Sequence, residues 1–304
     1  MAVWDTIPYS LRQLQYLVAV ADLGGFRRAA EACGVAQPSM SAQIAQAEQA
    51  LGVQIFERGP RGARVTSAGA PVIERARSVL LASRDLAETA RQHSDPLRGT
   101  ARIGVIPTVC PYLLPEIAPA LRARLADLHI VWSEDKTHAL IEQVENGDID
   151  GAILALDDRV AQLDHAVIGD DPFVLASAPG HRLAKRTGPA SPDVLEGETV
   201  FLLEDGHCFR DQALALCGAT GAHEADLKAT GLSTLVQMVG GGDGVTLLPK
   251  IALAVENRRG QLAVRAFKSP APTRTLVLVW RKGSAMKRPL DAMASVIRKA
   301  WPKT

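Results

Sequence analysis

The sequence predicts an α/β protein with an N-terminal winged helix-turn-helix, a linker helix and a C-terminal α/β region. Three observations support this. Three short apolar-periodic segments and a Gly/Pro turn between strand-like runs fill residues 10–68. A heptad-like apolar pattern follows over 69–93. From residue 99 onward, strand and helix patterns alternate, as in α/β units built on parallel sheets.

The 304 residues suffice for two or three domains and a sizeable core. A formal net charge of +1 rules out a global positive field that would draw the chain to nucleic acid, so any DNA contact must come from a local patch. Four cysteines do not make a disulfide scaffold. No basic leader with an apolar stretch opens the chain, and no run of about 18 apolar residues predicts a membrane span. The expected compartment is the cytoplasm, where a disulfide is more often transient than structural.

Ser10 and Gln13 form a capping-box pattern, after which Leu11, Leu14, Leu17, Val18 and Ala21 line one face of a first helix. Gly24 and Gly25 end it. Phe26 and Arg27 open a second helix in which Ala29, Ala30 and Ala32 allow close packing. A third helix is expected from Gln37 to Ala50, with Pro38 in its first turn and Gly52 beyond its end. Helix, short turn, helix is the outline of a DNA reader. Gln37, Ser39, Met40, Ser41, Gln43 and Gln46 are read as exposed, and amides suit adenine edges in the major groove. Ile44, Ala47 and Leu51 are read as facing inward. Residues 53–58 and 63–65 flank the turn Gly59-Pro60-Arg61-Gly62 as a wing. Arg58, Arg61 and Arg64 there suit phosphate or minor-groove contact.

In the segment 69–93, Val72, Ala76, Val79, Ser83, Leu86 and Ala90 recur at alternating fours and threes. This pattern fits a coiled-coil seam, and a lone helix of this length is marginal without something to pack on. Packing against its own domain would serve equally well. Residues 94–98, with Ser94-Asp95-Pro96, are expected to form a hinge. Strands are expected at 101–106, 129–132, 151–156, 199–203, 245–248, 262–267 and 275–280. Helices are expected at 115–125, 137–145, 210–216, 232–239 and 288–300.

The chemically most informative run is 203–217, which holds His207, Cys208, Arg210 and Cys217. Cys208 falls at an expected helix start, where partial positive charge favours a thiolate. Arg210 and a protonated His207 would add to that effect, while Glu204, Asp205 and Asp211 oppose it. Nine residues of helix would hold the two cysteines about 13 Å apart, beyond the ~4.4–6.8 Å that a disulfide requires between Cα atoms. A bond between them would therefore force local refolding. Two alternatives stand beside redox chemistry: burial of Cys217 as core, and a metal held by His207, Cys208, Cys217 and His223. The spacing fits no standard zinc pattern, so no metal and no cofactor is expected.

Residues 10–68 closely resemble the DNA-binding domain of LysR-type transcriptional regulators. The matching pieces are Leu11-Arg12-Gln13-Leu14, Phe26 with Ala29-Ala30, Gln37-Pro38-Ser39 and Ser41, Ala47-Glu48, Leu51-Gly52-Val53, Phe56-Glu57-Arg58, and Thr66 with Gly69. The resemblance runs on through the second half. There Ile106-Pro107-Thr108, Pro111 to Pro115, Lys136-Thr137-His138, Leu203 to Ala213 and Leu247-Leu248-Pro249 look like the peroxide-sensing branch of that family.

The resemblance implies a sensing domain like a periplasmic binding protein, with one lobe at about 99–172 plus 275–304 and another at about 173–274. A small ligand between the lobes is the competing mode of response. It also implies that the linker helix pairs with its twin in a homodimer, that dimers pair as homotetramers, and that double-stranded DNA is bound at a partly palindromic operator. Hydrogen peroxide would oxidise Cys208, and Cys217 would resolve the product. Thr108 and Thr137 would hold peroxide, with His207 beside the thiol. RNA polymerase and a cellular thiol reductant such as glutaredoxin or thioredoxin complete the implied partners. Such a chain is a stoichiometric sensor of oxidative stress and not an enzyme. Three residues depart from the pattern: Ala36, where a serine would cap the third helix; Cys110, in place of glycine; and Gly231, in place of serine.

Overall fold

The computed structural model describes residues 7–59, 62–92, 97–242 and 244–301. The backbone divides into two compact units, residues 1–91 and 92–304, each with its own core.

In the first unit, α1 (Leu11–Leu23), α2 (Phe26–Ala32) and α3 (Gln37–Leu51) precede the hairpin β1 (Phe56–Gly59) and β2 (Gly62–Val65), and α4 (Ala70–Gln92) follows. The expected capping box is present: Ser10 Oγ accepts from the Gln13 amide, and Gln13 Oε1 accepts from the Ser10 amide. The core face of α1 is shifted from the expected one. Leu14, Tyr16, Leu17 and Val20 are buried, whereas Leu11 lies near the helix start and is exposed. Glu48 joins α3 to the wing, because its Oε1 accepts from the amides of Ile55 (2.7 Å) and Phe56 (3.0 Å). Gly69 is required by space, since a Cβ there would lie 2.5 Å from the Ile55 carbonyl oxygen.

Ala36 occupies the N-cap of α3 in extended conformation with no side-chain cap. Ala36→Ser is therefore expected to stabilise α3 by about 0.5–2 kcal/mol. Slower amide hydrogen exchange within α3 is the measurement; unchanged exchange would show that the hydroxyl does not cap.

The second unit is built on β3 (Gly99–Val105), α5 (Cys110–Arg124), β4 (Leu128–Glu134), α6 (Thr137–Asn146), β5 (Gly151–Ala155) and β6 (Asp164–Ser177). It continues with β7 (Thr199–Leu203), α7 (Cys208–Thr220), β8 (His223–Ala229), α8 (Leu232–Gly240) and β9 (Val245–Pro249). The last elements are α9 (Leu253–Glu256), β10 (Ala263–Ala266), β11 (Thr273–Trp280) and α10 (Lys287–Lys299). The strand order is β4-β3-β5-β11-β6-β9-β7-β8, with β10 on β6.

The sheet is mixed, where parallel pairing was expected. β3, β4 and β5 run parallel, as do β7, β8 and β9, but β6 and β11 are antiparallel to their neighbours. β6 joins the two halves of the sheet. It pairs with β11 through Asp164–Pro172 and with β9 through Phe173–Ser177. The sequence reading omitted this 14-residue strand and also β8. Asp170-Asp171-Pro172 interrupts the apolar signal of β6 at the point where it changes partner. Helix α5 begins at Cys110, five residues earlier than expected, with Pro111 in its first turn.

Candidate functional site

The α7 N-terminus is the centre of the site. Cys208 is its first residue, a free thiol that is 1% exposed. The helix runs unbroken to Thr220 and so contains Cys217, longer at both ends than the expected 210–216. Both cysteines therefore lie on one helix, their Cα atoms separated by a rise of about 13 Å. The Cys217 side chain lies outside the described residues, and its backbone belongs to the second half of α7.

Thr108 follows β3 and is buried. Its Oγ1 accepts from Arg274 Nη1 at 2.8 Å, and its carbonyl accepts from Arg274 Nη2 at 3.0 Å. Arg274, at the start of β11, also donates through Nε (3.0 Å) and Nη2 (2.9 Å) to Asp171 of β6. Neither side chain of this ion pair exposes any surface. Asp171 Oδ1 accepts in addition from the Ile251 amide at 3.0 Å. The Arg274 guanidinium lies 5.8 Å from the ring centre of Phe209, the neighbour of Cys208. One arginine thus ties Thr108 to the residue that follows the thiol.

Thr137 is the first residue of α6, and its Oγ1 is buried without a hydrogen-bond partner. His207 Nε2 is in the same condition. The two segments meet through Lys136, whose Nζ donates to Glu204 Oε1 at 2.5 Å and to the Asp205 carbonyl at 3.1 Å. Burial pushes the His207 pKa down, and the Lys136 charge adds to this. His207 is consequently a neutral imidazole at neutral pH, so the expected help from a protonated His207 does not arise. Arg210 does not supply the expected charge either. It is bound to Asp205 (2.9 Å), Glu224 (2.7 Å) and the Leu203 carbonyl (3.0 Å). Arg159 reaches α7 from outside the helix and pairs with Asp211 at 3.0 Å.

Cys110 is not a second reactive thiol in this geometry. Burial first, then a hydrogen bond to Glu134, pushes its pKa up to about 12, which keeps it protonated and a poor nucleophile. Gly231 is the N-cap of α8 and has no side chain to bond the helix start.

The other candidate surface is α3 with the wing. Gln37, Pro38, Ser39 and Gln46 are exposed, and Ser41 and Gln43 are half-buried. Met40 was expected on this surface but is fully buried in the core of the unit, where it lies on the same face as Ile44 and Ala47. Arg64 is exposed on β2. Arg61 and the Arg58 side chain lie outside the described residues. On α4, Ile73 and Ala76 are buried against their own unit, while Val79 and Leu86 are 41% and 73% exposed.

Comparison with known proteins places this architecture. Residues 11–70 match the bacterial regulatory helix-turn-helix protein family of LysR type, and residues 94–302 match the LysR substrate binding domain. The chain belongs to the LysR family of bacterial transcriptional regulators. It is 41% identical over 290 residues to a hydrogen peroxide-inducible genes activator of Pectobacterium carotovorum subsp. carotovorum, covering 95% of this chain and 96% of that one. It is 40% identical over 290 residues to the DNA-binding transcriptional dual regulator OxyR of Escherichia coli K12, covering 95% of each. A full-length OxyR of Pseudomonas aeruginosa, with one cysteine replaced by aspartate, matches with a TM-score of 0.77 at 31% identity, over 95% of this chain and 94% of that one. A hydrogen peroxide-bound cysteine-to-serine variant of Corynebacterium glutamicum OxyR matches with a TM-score of 0.66 at 31% identity, over 98% and 94%. Within the LysR family the chain falls in the OxyR branch.

Proposed function

We propose that this chain is a peroxide-sensing transcriptional regulator in which oxidation of Cys208 remodels α7. The observation that carries the reading is a buried free thiol opening a helix that also contains the second cysteine. The Cys208 thiolate attacks one peroxide oxygen. The O–O bond breaks, hydroxide leaves and takes up a proton to become water, and the sulfur becomes a sulfenic acid. Cys217 then attacks that sulfur, a second water leaves, and a disulfide forms. Two thiols and one peroxide thus yield one disulfide and two waters.

The unpartnered Thr137 Oγ1 and His207 Nε2 suit this role. Buried polar atoms without a protein partner cost about 1–3 kcal/mol each, and each of these two can be satisfied by a small hydroxyl-bearing guest. Thr108, oriented by Arg274, supplies a further hydroxyl. Neutral His207 can accept or donate a hydrogen bond without adding charge to the site.

Closing the bond brings together Cα atoms that the helix holds about 13 Å apart, so α7 must unwind. That refolding is the signal. The DNA-reading surface is Gln37, Pro38, Ser39, Ser41 and Gln43, with Arg58, Arg61 and Arg64 on phosphates. The apolar residues Val79 and Leu86 of α4 suit a twin helix in a homodimer, and dimers pair as tetramers on a partly palindromic operator of double-stranded DNA. RNA polymerase reads the altered complex, and a cellular dithiol such as glutaredoxin or thioredoxin restores the reduced form. The chain works in the cytoplasm as a stoichiometric sensor, not as a turnover enzyme.

The test is an operator footprint before and after one equivalent of peroxide, with the disulfide located by mass. A footprint that changes together with a Cys208–Cys217 bond supports the reading. An unchanged footprint on the oxidised protein contradicts it.

A further inference from the structure

We propose that Arg159 is a positioning residue for the Cys208 thiol, holding the local charge that lets the thiolate form. The proposal rests on the peroxide-sensing reading and adds a residue to it. Arg159 lies in the short turn Asp158–Val160 between β5 and β6. Its guanidinium reaches α7, where Nη1 meets Asp211 Oδ2 at 3.0 Å. Asp211 stands three residues after Cys208, and residues three apart share a helix face. The contact therefore brings the guanidinium to the face of α7 that bears the thiol. Asp157 holds the other edge of the same fork, accepting from Nε (2.9 Å) and Nη2 (2.6 Å). The arginine is thus fixed on its own turn before it meets the helix. The Asp157 hydrogen bonds raise its pKa, and the charges of Asp211 and Cys208 act in the same direction.

Arg159 acts in two ways. It brings a positive charge to the α7 turn whose sulfur must become negative, and it pairs with Asp211, the carboxylate of that turn. Among the described residues, the other cations around this end of α7 are paired as well, and with partners other than Asp211. Arg274 is bound to Asp171 and Thr108, Arg210 to Asp205 and Glu224, and Lys136 to Glu204, while His207 is held neutral. Like the ion pairs of Arg210, the Arg159 pair is anchored on the α7 turn that must unwind, and it joins that turn to the segment between β5 and β6. The disulfide would break its hold on Asp211 as the helix opens.

The test measures the second-order rate of Cys208 oxidation by hydrogen peroxide as a function of pH, in the full chain, for wild type, Arg159→Gln, Arg159→Lys and Arg159→Gln with Asp211→Asn. Far-UV circular dichroism confirms that each variant is folded. Removing the cation is expected to move the rate profile toward higher pH and to slow the reaction at neutral pH about tenfold. Lysine, which keeps the charge, should restore most of the rate. Asn at 211 should restore part of it, because the uncompensated carboxylate is gone. If the wild type reacts and all four proteins share one profile, the role of Arg159 is overturned and the sensing reading stands. If wild-type Cys208 does not react with peroxide at all, the sensing reading itself fails.

Discussion

Arg274→Ala is expected to destabilise the second unit by about 3–5 kcal/mol, the usual cost of leaving one partner of a buried ion pair uncompensated. The stranded group is Asp171, whose side chain exposes no surface and which keeps only the Ile251 amide as a donor. The same change frees Thr108, which loses both of its hydrogen bonds to the guanidinium. Peroxide reactivity should therefore fall along with stability. Urea unfolding followed by tryptophan fluorescence reads the effect directly, because Trp132, Trp280 and Trp301 all belong to this unit and Trp280 shares β11 with Arg274. The double replacement Arg274→Met with Asp171→Leu separates the two consequences. It removes both charges, so stability should largely return, while the rate of Cys208 oxidation should stay low because Thr108 remains unheld. Recovery of both properties would show that Thr108 needs no positioning.

Cys208→Ser is expected to abolish the response to stoichiometric peroxide, leaving operator binding by the reduced-like form intact. A serine hydroxyl cannot be oxidised to a sulfenic acid, and it fits the small buried site at the start of α7. Cys217→Ser should behave differently. Cys208 should still be oxidised, but the sulfenic acid should persist or pass on to higher oxides, since no resolving thiol is within the helix. Mass mapping of both variants and the wild type after one equivalent of peroxide distinguishes these outcomes. Cys110 should remain unmodified throughout, held as a thiol by burial and by Glu134. A Cys208→Ser variant with a normal peroxide response would contradict the redox role of Cys208, and an inducer response to a small metabolite that Cys208→Ser leaves intact would favour a ligand between the lobes.

Much of the first unit could be read from the chain because its signals are local. Ser10 with Gln13, Pro38 near the start of α3 and Gly52 at its end act within one helical turn, and each stands where its chemistry requires. Met40 misled because it belongs to the recognition helix but sits on the same buried stripe as Ile44 and Ala47. In the second unit the local motif around Cys208 was legible, but the residues that hold it were not. Arg274 meets Thr108 across 166 positions and Asp171 across 103, and only the order β5-β11-β6 brings them together. Asp171 lay hidden in a strand whose polar stretch reads as a loop. Arg159 gave no sequence signal, since nothing in its neighbourhood points to a cysteine 49 positions away. The charge of His207 was misjudged for a physical reason: its environment is dry and faces Lys136, and both favour the neutral ring.

The most direct test of the account is peptide-resolved hydrogen exchange over residues 203–220, on reduced protein and on protein oxidised by one equivalent of peroxide with its disulfide mapped. The reduced form should protect the amides of α7 from Ala213 onward, and the oxidised form should lose that protection as the Cys208–Cys217 bond closes. A closed bond with α7 protection unchanged would contradict the account, because it would mean that the two sulfurs meet without the helix giving way.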